Sequence, residues 1–571
     1  MNVLRTRLVD DADFSKSRSS AIPLTELPVL AIDCQTTGAS PKHGHLLEVA
    51  WCRIRAADDG LPEVASFVLE LPDGESIPRR IRKMTGLDDA ALAGAVPPEH
   101  AWSALRDEAS RTPNSVIHYA RFEEAFLGDA HQRLSSEAAF PLDIICTHAI
   151  AGRLLADLPR RGIRAVAGYL GHTIPEDKRA GDHALATAWI WRELVREVGL
   201  REGVETLDEL ERWLAETRAS RGTGKGYAMD RDVRLALPQT PGVYRMLSKT
   251  GDVLYVGKAT SLKSRVNTYF QSRRNLAEHK LELVSQVWDL DVTAVATPLE
   301  AALLETDEIK RHAPPYNRAL RAKHRRVQFA SADWTSFSAT VDHEHPVGPL
   351  RSSRSLRLAS ALVDSTPVVQ WLTDEAPEYL AGAAEYLEPG IEVFFAHHGL
   401  ADLDELALEL WKAHQIESEA GLEEDSEATE EAEQVAQEHI WTPDTVADLL
   451  ESSLRRAHRA CRRARLLCML TDATIAWRPA VEGCDGRVLV FEAGEVLEAG
   501  DWNGEALVVP PGHMRGARER QELFDLATWD RLRVLTTELR RLVGDGCEVR
   551  VRLGPHAVLG SGELARMFGW V

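Results

Sequence analysis

Paired cysteines are missing from this chain. Cys34, Cys52, Cys146, Cys461, Cys468, Cys484 and Cys547 are scattered through 571 residues with no metal-ligand spacing among them. An odd, dispersed set predicts reduced thiols and a cytoplasmic protein. No apolar run is long enough to span a bilayer, and Met1–Ser20 has no secretory apolar stretch, so no membrane association is expected. An excess of positive charge is absent too, because 88 acidic side chains against 67 basic ones leave a net charge of −21. That total does not exclude a polyanionic ligand, since local potential decides where one docks.

What is present is ordinary for a soluble globular protein: 44% hydrophobic and 27% charged residues. The length predicts several domains, each with its own core. Residues 1–27 read as a poorly ordered lead-in. Residues 28–200 read as an α/β domain, with strands at Val29–Asp33, Leu46–Ile54 and Val64–Leu71. Helices are expected in it at Ala101–Ser110, Ala120–Leu134, Ile145–Leu155 and His183–Val198. Residues 201–237 hold an amphipathic helix and a glycine-rich linker, and 238–320 a small α/β domain. An accessory region covers 321–415, with helices at Ser355–Val363 and Leu403–Ala413. Residues 416–440 are a linker dense in acid. The last region, 441–571, begins with a helix, Val446–Arg465, that repeats Arg455, Arg459, Arg462 and Arg463 at three- and four-residue spacing. Phosphate contact and packing on another segment are both open for that face. Strands at Ala473–Trp477, Arg487–Phe491, Glu505–Val509 and Cys547–Leu553 and a helix at Trp529–Leu542 complete it.

Chemistry concentrates between Gly242 and Asn317. Pro241–Met246 and Val253–Gly257 are β-prone runs joined by the turn residues Lys249-Thr250-Gly251-Asp252, a hairpin that brings Tyr244 and Tyr255 to one face. A helix from Ser261 to Phe270 puts Arg265 and Tyr269 on one side. A second helix, Pro298–Arg311, carries Glu305 among Ala301, Ala302, Leu304 and Ile309, where a carboxylate needs a partner or a metal. A hard cation on Glu305, a guanidinium for phosphate charge and a phenol beside Lys258 suit phosphodiester cleavage. Lys263, Arg273, Arg274, Lys310, Arg325 and Arg326 belong to a basic island around this segment, a candidate DNA track.

Residues 238–320 resemble the GIY-YIG nuclease module of the UvrC and Cho excision-repair proteins. The resemblance rests on the hairpin, Lys258, Arg265, Tyr269, Leu303-Leu304-Glu305, Ile309-Lys310 and Pro315-Tyr316-Asn317. It implies one Mg²⁺ or Mn²⁺ held by Glu305 and Tyr255 as general base, with Tyr244, Lys258, Arg265, Tyr269 and Asn317 in support. It also implies nicking of damaged or distorted duplex DNA on the 3′ side of a lesion, UvrB-type partners and a nucleoid-associated location. The absence of a helix-hairpin-helix signature and of a second nuclease set makes the chain more similar to Cho than to UvrC.

Residues 28–200 resemble the DEDDh exonuclease family in Ile32–Gly38, His118–Glu123, Leu142-Asp143 and Lys178–Ala184. The resemblance implies an RNase H-like α/β fold with a degenerate site. Asp33 keeps the first acidic position, but Gln35 takes the second and Glu123 replaces an aspartate. Lys178 stands in place of the histidine and His183 in place of the last aspartate. The chain as a whole is therefore expected to be an α/β multidomain nuclease with an appended pseudo-exonuclease. Two alternatives stay open: a bifunctional protein that still degrades 3′ ends, and a non-catalytic repair scaffold.

Overall fold

The computed structural model describes residues 22–568, except 61, 88, 136–137, 176, 178, 220–221, 223–225, 272–275, 318, 321–324, 402–404, 406–439 and 480–485. The chain divides into two compact units, Met1–Ala301 with Pro314–Arg318, and Ala302–Ala313 with Ala319–Val571. No helix among the described residues is long and apolar enough to cross a membrane.

The first unit contains two sheets. Strands β1 (Val29–Thr36), β2 (Leu46–Ile54), β3 (Val64–Val68), β4 (Asn114–Ile117) and β5 (Asp143–Cys146) form one in the order β3-β2-β1-β4-β5. β1 pairs antiparallel with β2 and parallel with β4, and β4 parallel with β5. The central strand is buried on both faces, which its unbroken Val-Leu-Ala-Ile run requires. Leu30, Ile32 and Trp51 face a core with Trp102 and Leu127, while Val29, Ala31 and Cys52 face the long helix Ala180–Glu202 through Ile190 and Trp191.

Three expectations need correcting here. Ile145 belongs to the edge strand β5, and the helix predicted from it starts at Thr147, because the short Ile144-Ile145 run pairs in parallel with β4. Leu24 and Leu27 are buried in the core, so residues 24–27, expected in the poorly ordered lead-in, belong to the folded domain. The linker glycines are not loose where they are described: Gly226 donates to the Asp157 carbonyl at 2.9 Å, and Gly222 lies so close to Ala156 that a Cβ would collide.

Strands β6 (Gly242–Leu247), β7 (Val253–Ala259) and β8 (Asp289–Ala294) make the second sheet, in the order β7-β6-β8. The hairpin turn is as expected, with Gly251 at φ +88° and the Ser248 amide bonded to the Asp252 carbonyl. The helices Leu262–Gln271 and Glu278–Gln286 cover this sheet. The two sheets' domains are joined within the unit. Trp288 meets the Tyr169 ring at a tilt, with centroids 5.8 Å apart, and donates its indole N–H to the Tyr169 carbonyl (3.1 Å), and Ser285 Oγ accepts from the Arg160 amide (3.0 Å).

The second unit has a small sheet of β9 (Gln328–Ala330), β10 (Phe337–Ser338) and β11 (Val347–Leu350), and a five-stranded one. The latter is ordered β14-β13-β12-β15-β16 from β12 (Thr474–Arg478), β13 (Gly486–Glu492), β14 (Glu495–Trp502), β15 (Glu548–Arg552) and β16 (Val558–Gly560). Residues Glu505–Val509, expected as a strand, are irregular, and Glu495–Trp502 takes the edge position instead through a tight turn at Ala493-Gly494. The expected boundary at 441 also falls inside a shared core. The helix Pro443–Leu470 buries Val446, Leu450, Leu454 and Ala457 with Leu356, Leu358 and Phe394. The helix expected at Leu403–Ala413 and the acidic linker fall almost wholly outside the described residues.

Candidate active site

Three tyrosines gather on one face of the β6–β7 hairpin. Register sets Tyr244 opposite Gly257 and Met246 opposite Tyr255, so the two phenols are diagonal neighbours with ring centroids 6.1 Å apart. Tyr269, from the helix Leu262–Gln271, closes the triangle at 6.2 Å from each. Its hydroxyl lies 3.1 Å from that of Tyr244. Gly257 makes this possible, because a Cβ there would overlap the Tyr244 hydroxyl and the Tyr255 ring. That requirement was readable in the sequence only once the register was known.

The Arg265 guanidinium stands over the Tyr269 ring at 5.5 Å, the four-residue spacing expected from the helix. Tyr244 is fully buried, and burial, followed by the neighbouring Tyr255 and Tyr269 phenols, pushes its pKa well above the usual value. Tyr244 therefore keeps its proton near neutrality. Tyr255 is only half-buried, and Lys258 on the same strand is exposed. Asn317 does not point its amide at a substrate. Its Oδ1 accepts from the Val256 amide and its Nδ2 donates to the Val256 carbonyl, both at 2.9 Å, which pins the strand beside Tyr255.

Glu305 is half-buried on the helix Pro298–His312, which buries Ala301, Ala302, Leu303, Thr306 and Ile309. Leu304, expected on the buried face, is half-buried. Among the described residues no group of three or more His, Cys, Asp or Glu side chains could hold a metal. A single carboxylate fits a hydrated hard cation, which keeps most of its waters and takes one or two protein oxygens.

The basic island is only partly free to meet phosphate. Lys310 and Arg325 both bind Asp530, each at 2.5 Å, and Asp530 is fully buried. The two cations neutralise a buried carboxylate, which takes them out of the DNA track expected for them. Lys263 lines a cleft of about 1070 Å³ with Arg231 and Arg234, and Arg326 is exposed. Arg273 and Arg274 lie outside the described residues.

Residues 240–318 match a family model described as a UvrC-like GIY-YIG domain. The chain carries a UvrC-like GIY-YIG domain. Over 98 residues, 17% of this chain and 16% of the other, it is 50% identical to the UvrABC system protein C of a Psychrobacter species. It is also similar to the GIY-YIG N-terminal endonuclease domain of UvrC from Thermotoga maritima, solved with its catalytic magnesium. That match has 30% identity, covers 16% of this chain and 99% of that one, and has a TM-score of 0.14. A Mycobacterium tuberculosis protein named as a bifunctional exonuclease/endonuclease is 29% identical over 354 residues, 60% of this chain and 52% of the relative. The chain thus spans about half the length of that relative and a small part of the UvrC proteins. An alignment that long extends well beyond the GIY-YIG domain, and the chain also has an exonuclease-like region.

In the exonuclease-like domain Asp33, Gln35, Glu123 and His183 line one cleft of about 960 Å³. Asp33 is engaged on both oxygens, by the Gln35 amide at 2.7 Å and by His183 Nδ1 at 3.4 Å. Burial, then the Asp33 carboxylate and Cys146, hold the Glu123 carboxyl well above the usual range. Asp33 and Glu123, with Gln35 and His183 beside them, leave fewer anionic ligands than a metal pair needs. Asp182, next to His183 on the helix Ala180–Glu202, is half-buried while His183 is buried. Lys178 lies outside the described residues. The motif reading missed other groups in the cleft: His118, His148, Arg160 and Arg161, with Tyr119 strained at φ +71° and 56% exposed at its mouth. Only His118 and Tyr119 fell within a quoted motif, and the arginines reach the cleft through tertiary packing.

Proposed function

We propose that this chain is a metal-dependent DNA endonuclease of the excision-repair type, nicking one strand of damaged or distorted duplex. The observation that carries the reading is the tyrosine triangle capped by Arg265, in a domain whose relatives are UvrC proteins. Tyr255, acting as its phenolate, accepts the proton of the attacking water. Tyr244, held protonated, shares a hydrogen bond with Tyr269 and keeps it in place. Arg265 grips the non-bridging oxygens with charge-assisted hydrogen bonds, and Lys258 adds positive potential from the same strand. Asn317 acts through Val256 as a positioning residue. Glu305 would hold one Mg²⁺ or Mn²⁺, which supplies Lewis acidity at the phosphate. A UvrB-type protein is the proposed partner besides DNA, and the cytoplasmic nucleoid the proposed place of action.

The exonuclease-like domain contributes no cleavage in this reading, because Gln35 and His183 replace acidic ligands and both contact Asp33. The test is a labelled duplex bearing a bulky adduct, incubated with Mg²⁺, with and without UvrA and UvrB. The wild-type chain nicks one strand and leaves labelled 3′ ends untrimmed even with Mn²⁺. Glu305→Ala and Tyr255→Phe bind DNA and do not nick. Persistent nicking by Glu305→Ala rejects the assignment, and 3′ laddering lost in Asp33→Ala favours the bifunctional alternative.

A further inference from the structure

We propose that a cleft in the second unit, formed by Arg351 and Arg354 with Arg456, Arg459 and Arg463, binds a phosphate group of the DNA backbone. The proposal rests on the endonuclease reading only for the source of that phosphate.

The helix Pro443–Leu470 supplies three of the arginines at spacings of three and four residues, which places them on one side of the helix. Ala457, about 100° round the helix from Arg456, is buried, which limits rotation of that side. β11 packs against this helix and ends at the buried Leu350, so Arg351 and Arg354 emerge facing it. Buried Leu356 anchors the far end of that short segment, and the Arg354 guanidinium lies 4.5 Å over the Tyr379 ring. Ser352 and Ser355 add hydroxyl donors to the same cleft.

The cleft is about 110 Å³, room enough for a tetrahedral anion. Every cation lining it is an arginine. Planar guanidinium forks match phosphate oxygens two at a time, a geometry that lysine lacks. Guanidiniums converging on so small a space set up a local positive potential that favours an anion. Such convergence is also unexpected from the composition of a chain of net charge −21.

The remaining arginines of the sequence's arginine face do something else. Arg455 pairs with Glu451 at 2.6 Å, and Arg462 donates to the carbonyls of Arg566 (3.0 Å) and Met567 (2.8 Å). They are built-in controls.

The experiment measures binding of a fluorescent duplex by the full chain in EDTA, from low to moderate salt. Arg459→Gln and Arg463→Gln should each weaken binding by about tenfold and lower the slope of log affinity against log salt by about one, with the double variant losing about two. Arg455→Gln should change neither, and Arg463→Lys should recover the slope but not the full affinity. Inorganic phosphate is titrated in parallel while thermal unfolding is followed. Unchanged DNA binding in the double variant, with phosphate stabilising the wild type but not the variant, would reassign the cleft to free phosphate. Unchanged binding with no phosphate effect overturns the proposal. Nicking retained by Glu305→Ala would refute the endonuclease reading and leave this measurement standing.

Discussion

At the residue scale, His118 shows how burial changes a group that motif reading treats as a landmark. It is 6% exposed, with Nδ1 3.0 Å from Thr147 Oγ1 and Nε2 2.9 Å from the Arg161 carbonyl. Burial lowers its pKa most, the Arg161 carbonyl offsets part of that, and His148 and His183 lower it further, to about 4. The unfolded chain takes up this proton near pH 6.5, so the folded state is penalised as pH falls from 6.5 through 4 and carries no penalty above that window. At about 1.4 kcal/mol per unit the loss is on the order of 3 kcal/mol. Urea midpoints of the wild type at pH 7, 5.5 and 4 should show this decline, and His118→Gln should flatten it. The Asn317 amide was read as part of the chemistry, but its residue type says nothing about direction. Only the fold shows both its polar atoms on Val256.

At the element scale, the helix Pro298–His312 is held by groups that no local pattern reveals. Lys310 meets Asp530, and Asp307 meets Arg531 at 2.8 Å. At 100° per residue, positions 307 and 310 lie on the side of the helix away from Glu305, so these pairs fix its rotation. Periodicity predicted the helix and most of its buried face, but the partners are more than two hundred residues away in the chain. Asp530→Ala leaves Lys310 and Arg325 without their shared carboxylate and should cost about 3 kcal/mol. Chemical denaturation of the full chain measures that loss. Helices elsewhere ran longer than the apolar pattern suggested: Pro443–Leu470 starts three residues earlier than Val446 behind a Thr442 cap and continues to Leu470. Caps and polar first turns carry no hydrophobic signal, so period-based reading trims them.

At the scale of the whole molecule, the exonuclease-like domain and the tyrosine-bearing sheet of the GIY-YIG domain belong to one compact unit, while Ala302–Ala313 belongs to the other. Trp288 is the centre of that junction, with Tyr169 beside it and the Lys249 ammonium 5.1 Å from its ring. Trp288→Ala should lower the stability of this unit by about 2 kcal/mol. In calorimetry of the full chain, it should split a joint transition of the two domains into separate ones. A single unshifted transition would show that the junction contributes no coupling.

Order along the chain was enough to specify the tyrosine hairpin, the Arg265–Tyr269 pair, the Glu305 helix and the loss of acidic positions around Asp33. These features depend on residue type and short spacing, which the local periodicities of strand and helix convert directly into geometry. Tertiary structure alone decided which charges are available. It buried Lys310 and Arg325 against Asp530, turned Arg459 and Arg463 toward Arg351, and occupied Asp33 with Gln35 and His183. Coulombic and hydrogen-bond partners come from distant segments, and a sequence records the charges without recording which of them meet.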